Sequence, residues 1–206
     1  MSAKIKTIPT GEFQENCYFY DLGEGKCFVI DPGCDAEYLI SELKDEGLSP
    51  TAILLTHAHF DHISAVKQLV DAFDIPVYLH PDDIPLYTSP MNCMPPSYPP
   101  QNRPDTVSWD DWSIDDVPCP KIIFTPGHTP GGCCILFPDE NVMFTGDTLF
   151  NLSIGRTDLP GGDYLQLMES IRNQLLPLDD DIRFYPGHGP SSTIGVEKAQ
   201  NPFLQI

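Results

Sequence analysis

The stretch Thr51-Ala52-Ile53-Leu54-Leu55-Thr56-His57-Ala58-His59-Phe60-Asp61-His62 carries two signals back to back. Its first half is a continuous apolar run with no polar alternation, the pattern of a strand buried on both faces. Its second half gathers three of the chain's six histidines into one hexapeptide. In an extended segment His57 and His59, two residues apart, point to one side. Asp61 and His62 follow where the chain turns into a helix expected from about Asp61, with Ile63, Val66, Leu69, Val70 and Phe73 at helical spacing. Upstream, Lys4–Pro9, Cys17–Asp21 and Cys27–Ile30 read as short strands of a small antiparallel set. Asp35 is placed to cap a helix through Leu39, Ile40 and Leu43 that stops at Gly47. Pro76–Leu79 resumes the sheet. Strands alternating with helices indicate a layered α/β domain.

The same sequence of events recurs. Lys121–Thr125 leads through Pro126-Gly127 to His128, Asn141–Thr145 leads through Gly146 to Asp147, and Ile182–Tyr185 leads through Pro186-Gly187 to His188. Ligands gather at the carboxyl ends of strands in layered α/β domains, and glycine permits a sharp turn just before each ligand-type side chain. Imidazole and carboxylate are donors that zinc, iron or manganese accept. Taken singly, His128 and His188 would read as ordinary buried polar residues, and Asp147 as a turn residue. His80, in Leu79-His80-Pro81, keeps that structural reading. Further strands are expected at Cys133–Phe137, and a helix at about Tyr164–Leu176.

Residues 81–120 differ from the rest, holding ten of the 22 prolines and seven acids against Arg103 alone. Such a stretch cannot sustain a helix or an internal strand. It is expected to be an irregular insertion over one edge of the site, or a passive surface loop.

Composition narrows the partners. The chain has 206 residues, 41% hydrophobic, with 30 acids against 11 bases for a formal charge of −19, and room for one full-size domain spanning 1–206. A surface that repels phosphate is expected to bind neither nucleic acid nor an anionic membrane. No apolar run is long enough for a membrane span, and the N-terminus carries neither a secretory nor a transit pattern, so a cytoplasmic location is expected. Seven cysteines without a C-x-x-C read as reduced, mostly buried small hydrophobes. The oligomeric state is left open.

Four motifs then resemble a known family: Thr56-His57-Ala58-His59-Phe60-Asp61-His62, Pro126-Gly127-His128-Thr129-Pro130-Gly131, Thr145-Gly146-Asp147-Thr148-Leu149-Phe150 and Gly187-His188-Gly189-Pro190. They resemble the metallo-β-lactamase superfamily, and within it the short, single-domain glyoxalase II-like branch. The resemblance implies an α/β fold, an αβ/βα sandwich of two sheets face to face with helices outside. It also implies two divalent metal ions, zinc as the first choice with iron or manganese admissible. By position, His57, His59 and His128 would hold one metal, Asp61, His62 and His188 the other, and Asp147 would bridge them.

The implied activity is hydrolysis of a small thioester or ester such as S-lactoylglutathione, by attack of a metal-bound hydroxide oriented by Asp61. A thiolate leaving group, with a free-thiol pKa near 8.5, departs without an obligatory general acid, whereas an amide nitrogen needs one. Typical glyoxalase II enzymes carry a carboxyl-terminal helical domain that helps hold glutathione. Here the sequence ends 18 residues after His188, so that domain is expected to be absent. Gly155-Arg156-Thr157-Asp158 resembles the short branch, and Arg156 is a candidate to grip a substrate carboxylate or, equally, to pair with Asp158. The alternative is a mononuclear iron persulfide dioxygenase, which by position would use His57, His128 and Asp147, a two-His, one-carboxylate set open to dioxygen.

Overall fold

The computed structural model describes residues 5–205, so Lys4, the expected start of the first strand, lies outside the described residues. The chain divides into two compact units, the first ending at Val117 and the second beginning at Pro118.

In the first unit, β1 (Ile5–Thr10), β2 (Glu15–Gly23) and β3 (Lys26–Ile30) form an antiparallel meander. Helix α1 (Ala36–Asp45) crosses over to β4 (Ser49–Leu54), which pairs parallel to β3. Asp35 stands at the amino-terminal cap of α1 but does not cap it by its side chain; its Oδ2 accepts the N–H of Gly11 instead, at 2.8 Å. The helix expected from Asp61 is two helices, α2 (Phe60–Ile63) and α3 (Val66–Phe73). The break has a local cause. The N–H groups of Ser64 and Ala65 donate to the carbonyls of Gly33 and Pro32 at 3.0 Å each, so they cannot continue the helical ladder. Strand β5 (Val77–Tyr78) completes a five-stranded sheet in the order β1-β2-β3-β4-β5. Leu39, Leu43, Ile53, Leu55, Ile63, Val66 and Leu69 are buried together as its core.

The proline-rich segment is irregular apart from single turns and the short helix α4 (Ile84–Tyr87). Val107 lies against the outer edge of β5, its N–H donating to the Val77 carbonyl at 2.8 Å. This covers the exposed groups of an edge strand. Trp109 stacks on Tyr78 and Trp112 packs tilted against it, with ring centroids 5.5 and 4.7 Å away, which anchors the segment.

In the second unit, β6 (Lys121–Phe124), β7 (Cys133–Phe137) and β8 (Val142–Gly146) are antiparallel neighbours. The two-residue strands β9 (Leu149–Phe150) and β10 (Ser153–Ile154) form a separate hairpin. Helix α5 (Tyr164–Ser170), extended by a π turn over Ile171–Leu175, crosses to β11 (Arg183–Pro186), which pairs parallel to β8. Strand β12 (Ser192–Thr193) and helix α6 (Ile194–Gln200) follow, giving the sheet order β12-β11-β8-β7-β6. Leu136, Met143, Leu167, Ile171, Leu175 and Phe184 lie in a second buried core. All seven cysteines are unbridged, and Cys17, Cys27, Cys133 and Cys134 are buried. Among the described residues no helix is long and apolar enough to cross a membrane.

Candidate metal centre

The parallel register of β3 and β4 pairs Ile30 with Leu54, so the residues that follow each strand leave the sheet at one edge. Asp31 follows β3 and Thr56-His57 follows β4. The carboxylate of Asp31, 2% exposed, accepts the Thr56 N–H at 2.8 Å on Oδ1, and the Thr56 hydroxyl at 2.6 Å on Oδ2. Its Oδ2 also faces Nδ1 of His62 at 3.1 Å. Because the Thr56 hydroxyl gives its proton to Asp31, it acts as acceptor toward His57 Nδ1, 3.0 Å away. Both imidazoles are thereby assigned the tautomer with N–H on Nδ1 and the lone pair on Nε2, the form that ligates a metal.

The imidazoles are close together and buried. The ring of His57 is 5.0 Å from that of His59 and 4.1 Å from that of His62. Ligand-type atoms of Asp31, His57 and His62 lie within 4.8 Å of one another. The Asp31 carboxylate, however, already serves three donors, so it braces the two imidazoles rather than adding a free donor beside them. Asp61 lies in the first turn of α2, between His59 and His62. A second buried acid, Glu15, has Oε1 3.7 Å from His62 Nδ1 and accepts the Thr10 hydroxyl at 2.9 Å. Burial holds its carboxyl well above the usual carboxylate range.

The second unit builds its group from three strand ends. Strands β8 and β11 run parallel with Gly146 opposite Pro186, and the Gly187 N–H donates to the Gly146 carbonyl at 2.8 Å. Asp147 and His188 therefore emerge side by side, with His188 Nε2 3.6 Å from Asp147 Oδ2. Strand β6 runs in the same direction as β8, since each is antiparallel to β7, so His128 leaves the sheet at the same edge. Its Nε2 is 3.5 Å from Asp147 Oδ2. Nδ1 of His128 donates to the backbone carbonyl of Arg156 at 2.6 Å, again leaving the lone pair on Nε2. Gly127 and Gly146 take positive φ, at 132° and 46°, as the sharp turns require. Gly155 admits no side chain, because a Cβ there would collide with the carbonyl of Asp147.

The donor set fits divalent metal ions. Donors about 2.0–2.1 Å from a tetrahedral ion stand about 3.3 Å apart, near the 3.5 and 3.6 Å that separate Asp147 Oδ2 from the two imidazoles. Imidazoles held through Nδ1 by oxygen acceptors are oriented as metal-ligating histidines are.

Two residues of the sequence reading have other occupations. The guanidinium of Arg156 is 62% exposed on its side chain and makes a two-pronged pair with Asp158 at 2.7 and 2.9 Å. This pair holds the Asp158 carboxyl down at about 2. His80 accepts the Asp82 N–H through Nδ1 at 3.3 Å and caps the turn at Pro81–Asp83. Sequence reasoning passed over Asp31. Part of the signal was present, since Asp31 directly follows a buried strand, although its Pro32-Gly33 comes after it, where at His128 and His188 the Pro-Gly pair comes before. For Glu15, inside a strand, no such signal exists.

Comparison with known proteins identifies the family. A model of the metallo-beta-lactamase superfamily matches residues 10–188. The chain is 39% identical to hydroxyacylglutathione hydrolase GloC of Haemophilus influenzae, covering 97% of each. The solved structure of the BLEG-1 B3 metallo-beta-lactamase superposes with a TM-score of 0.88 at 41% identity, over 98% of this chain and 99% of that one. The structure of TTHA1623 in a di-iron-bound form gives a TM-score of 0.84, also at 41% identity, over 97% of this chain and 100% of that one. With its α/β sheets, its strand-end ligands and these matches taken together, the chain belongs to the metallo-beta-lactamase superfamily of metallo-hydrolases.

Proposed function

We propose that this protein hydrolyses a small thioester of the hydroxyacylglutathione type, using two divalent metals, zinc in the first instance. In this reading His57, His59 and His128 hold one metal and Asp61, His62 and His188 the other, with Asp147 shared, and the domain comprises residues 1–206. When bound, such a metal pair supplies Lewis acidity and brings the pKa of water to about 7, so that a hydroxide nucleophile exists at neutral pH.

The observation that carries the reading is the bracing of the imidazoles at Nδ1 by oxygen acceptors: Asp31 and Thr56 for His62 and His57, the Arg156 carbonyl for His128. Ligands held in one tautomer need no rearrangement to bind, which favours a preformed catalytic centre. Asp61 serves as ligand and orients the nucleophile. A thiolate leaves without a proton donor, which suits a donor set whose carboxylates and imidazoles are all assigned to metal. Arg156 can exchange its exposed partner Asp158 for a substrate carboxylate, since surface pairs of this kind are weak.

The test is to load the purified protein separately with zinc, iron and manganese, and to follow thiol release from S-lactoylglutathione beside oxygen uptake on glutathione persulfide. Thiol release in a form holding two metals per chain is the expected result. Oxygen uptake in a form holding one iron, without thioester hydrolysis, overturns it. Because the chain carries −19, the rate on this anionic thioester is expected to rise with salt as long-range repulsion is screened.

A further inference from the structure

We propose that Asp83 and Asn92 are positioning residues of the metal centre, which they serve by gripping the backbone of Ala58 between the two histidines His57 and His59. Ala58 is fully buried and belongs to neither β4, which ends at Leu54, nor α2, which begins at Phe60. No ladder therefore claims its peptide groups, and a buried backbone group has to find a partner elsewhere. Both partners come from the proline-rich segment. Oδ2 of Asp83 accepts the Ala58 N–H at 2.9 Å, and Nδ2 of Asn92 donates to the Ala58 carbonyl at 2.7 Å. Asp83 is fully buried and Asn92 nearly so. The second amide hydrogen of Asn92 goes to the Leu86 carbonyl at 3.1 Å, which ties the grip to α4.

The consequence is geometric. The N–H of Ala58 lies in the peptide that joins it to His57, and its carbonyl lies in the peptide that joins it to His59. Fixing both peptide planes fixes φ and ψ of Ala58 and so the relative placement of the two Cα atoms that carry the imidazoles. Farther along the same motif, Nη1 of Arg103 donates to the Ile63 carbonyl at 2.5 Å and Nε2 of Gln101 to the Ser64 carbonyl at 3.0 Å. The segment that composition marks as an irregular insertion thus acts as a fixed brace along residues 58–64, and not as a lid over them.

This inference rests on His57 and His59 being metal ligands, and the experiment separates the two claims. The full chain is stripped with chelator and titrated with cobalt(II), read by its visible absorption and by competition with a chelating dye. Melting of the metal-free protein is recorded beside each titration. Asp83→Ala and Asn92→Ala are expected to weaken cobalt binding by about 10- to 100-fold, the usual effect of losing an outer-sphere partner, and to change the absorption bands at temperatures far below melting. Asp83→Asn, whose amide oxygen can still accept the Ala58 N–H, is expected to recover most of the affinity.

Wild-type cobalt affinity and bands in both alanine variants, with only a lower melting temperature, would overturn the proposal and leave the two residues a structural role. Should Asp83→Ala fail to fold, Asn92→Asp carries the test. It keeps the shape but sets an acceptor against the Ala58 carbonyl, and unchanged cobalt binding in it overturns the proposal equally. His57→Ala is the control. If it binds cobalt as the wild type does, the ligand assignment has failed rather than the brace.

Discussion

The two units gather their ligand-type residues by opposite routes. The first packs His57, His59 and His62 into one hexapeptide and then surrounds them with acids, Asp31 and Glu15 around the imidazoles and Asp83 on the backbone between them. The second takes one ligand-type residue from each of three strand ends, His128, Asp147 and His188, and holds His128 through a backbone carbonyl. In the first, chain connectivity brings the ligands together and side chains aim them. In the second, sheet register brings them together, and the Asp147 carboxylate faces two imidazoles. Local proximity is thus inexpensive in chain entropy but needs outer-sphere bracing, whereas register-made proximity needs the intact sheet.

The sharpest way to break this comparison is at its hinge in the second unit. Asp147→Ala removes the only carboxylate facing both His128 and His188 within that unit, among the described residues. It is expected to lower metal content below the wild-type stoichiometry and to bring thioester hydrolysis to background, measured by elemental analysis and thiol release. Retained hydrolysis would show that the second unit's group is not the centre proposed. In the first unit, Asp31→Ala is expected to act more mildly, weakening metal binding by about 10- to 100-fold, because the ligands themselves remain. Asp31→Asn, which keeps an acceptor oxygen, should fall between the two in a competition titration.

Smaller still is a pH effect that compares the two sheets. Burial pushes the thiols of Cys27, on β3, and Cys134, on β7, up to about 12 from an ordinary value of 9.0. Between these values the unfolded chain has lost its thiol protons while the folded chain keeps them. Stability from each thiol is therefore whole below pH 9 and falls as the pH rises toward 12. Melting curves across that window should decline less steeply in Cys27→Ala and in Cys134→Ala than in the wild type. A slope unchanged in one variant would mean that its sheet admits the thiolate. Least of all, His80→Ala should cost about 0.5–1 kcal/mol through its lost cap and leave metal content unchanged, which separates this sixth histidine from the other five.

Much of the fold was legible because burial writes itself into composition. Runs such as Ala52–Leu55 and Cys133–Phe137 have no polar residue to expose, and they became interior strands. The two-residue strands β9, β10 and β12 left no comparable mark, since two residues are too few to show a hydrophobic period. The break between α2 and α3 was hidden for a different reason. The apolar spacing continues through Ser64 and Ala65, and only the carbonyls of Pro32 and Gly33, some thirty residues earlier, divert their N–H groups. Asp31 could have been found by the strand-end rule. Nothing in the sequence around Asp83 or Asn92 connects them to Ala58.

By itself the sequence determined which residues have ligand chemistry, that they sit at strand ends, and that residues 81–120 could sustain neither a long helix nor an interior strand. These properties depend on side-chain type, hydrophobic period and the conformational limits of proline, all local to the chain. Only the tertiary structure decided which acids brace the imidazoles, which tautomers result, and that a proline-rich segment grips the metal motif by its backbone. Those outcomes depend on hydrogen bonds between residues far apart in sequence. Such bonds follow from the need of buried polar groups to find partners, and which partner is found is settled by register and packing rather than by residue type.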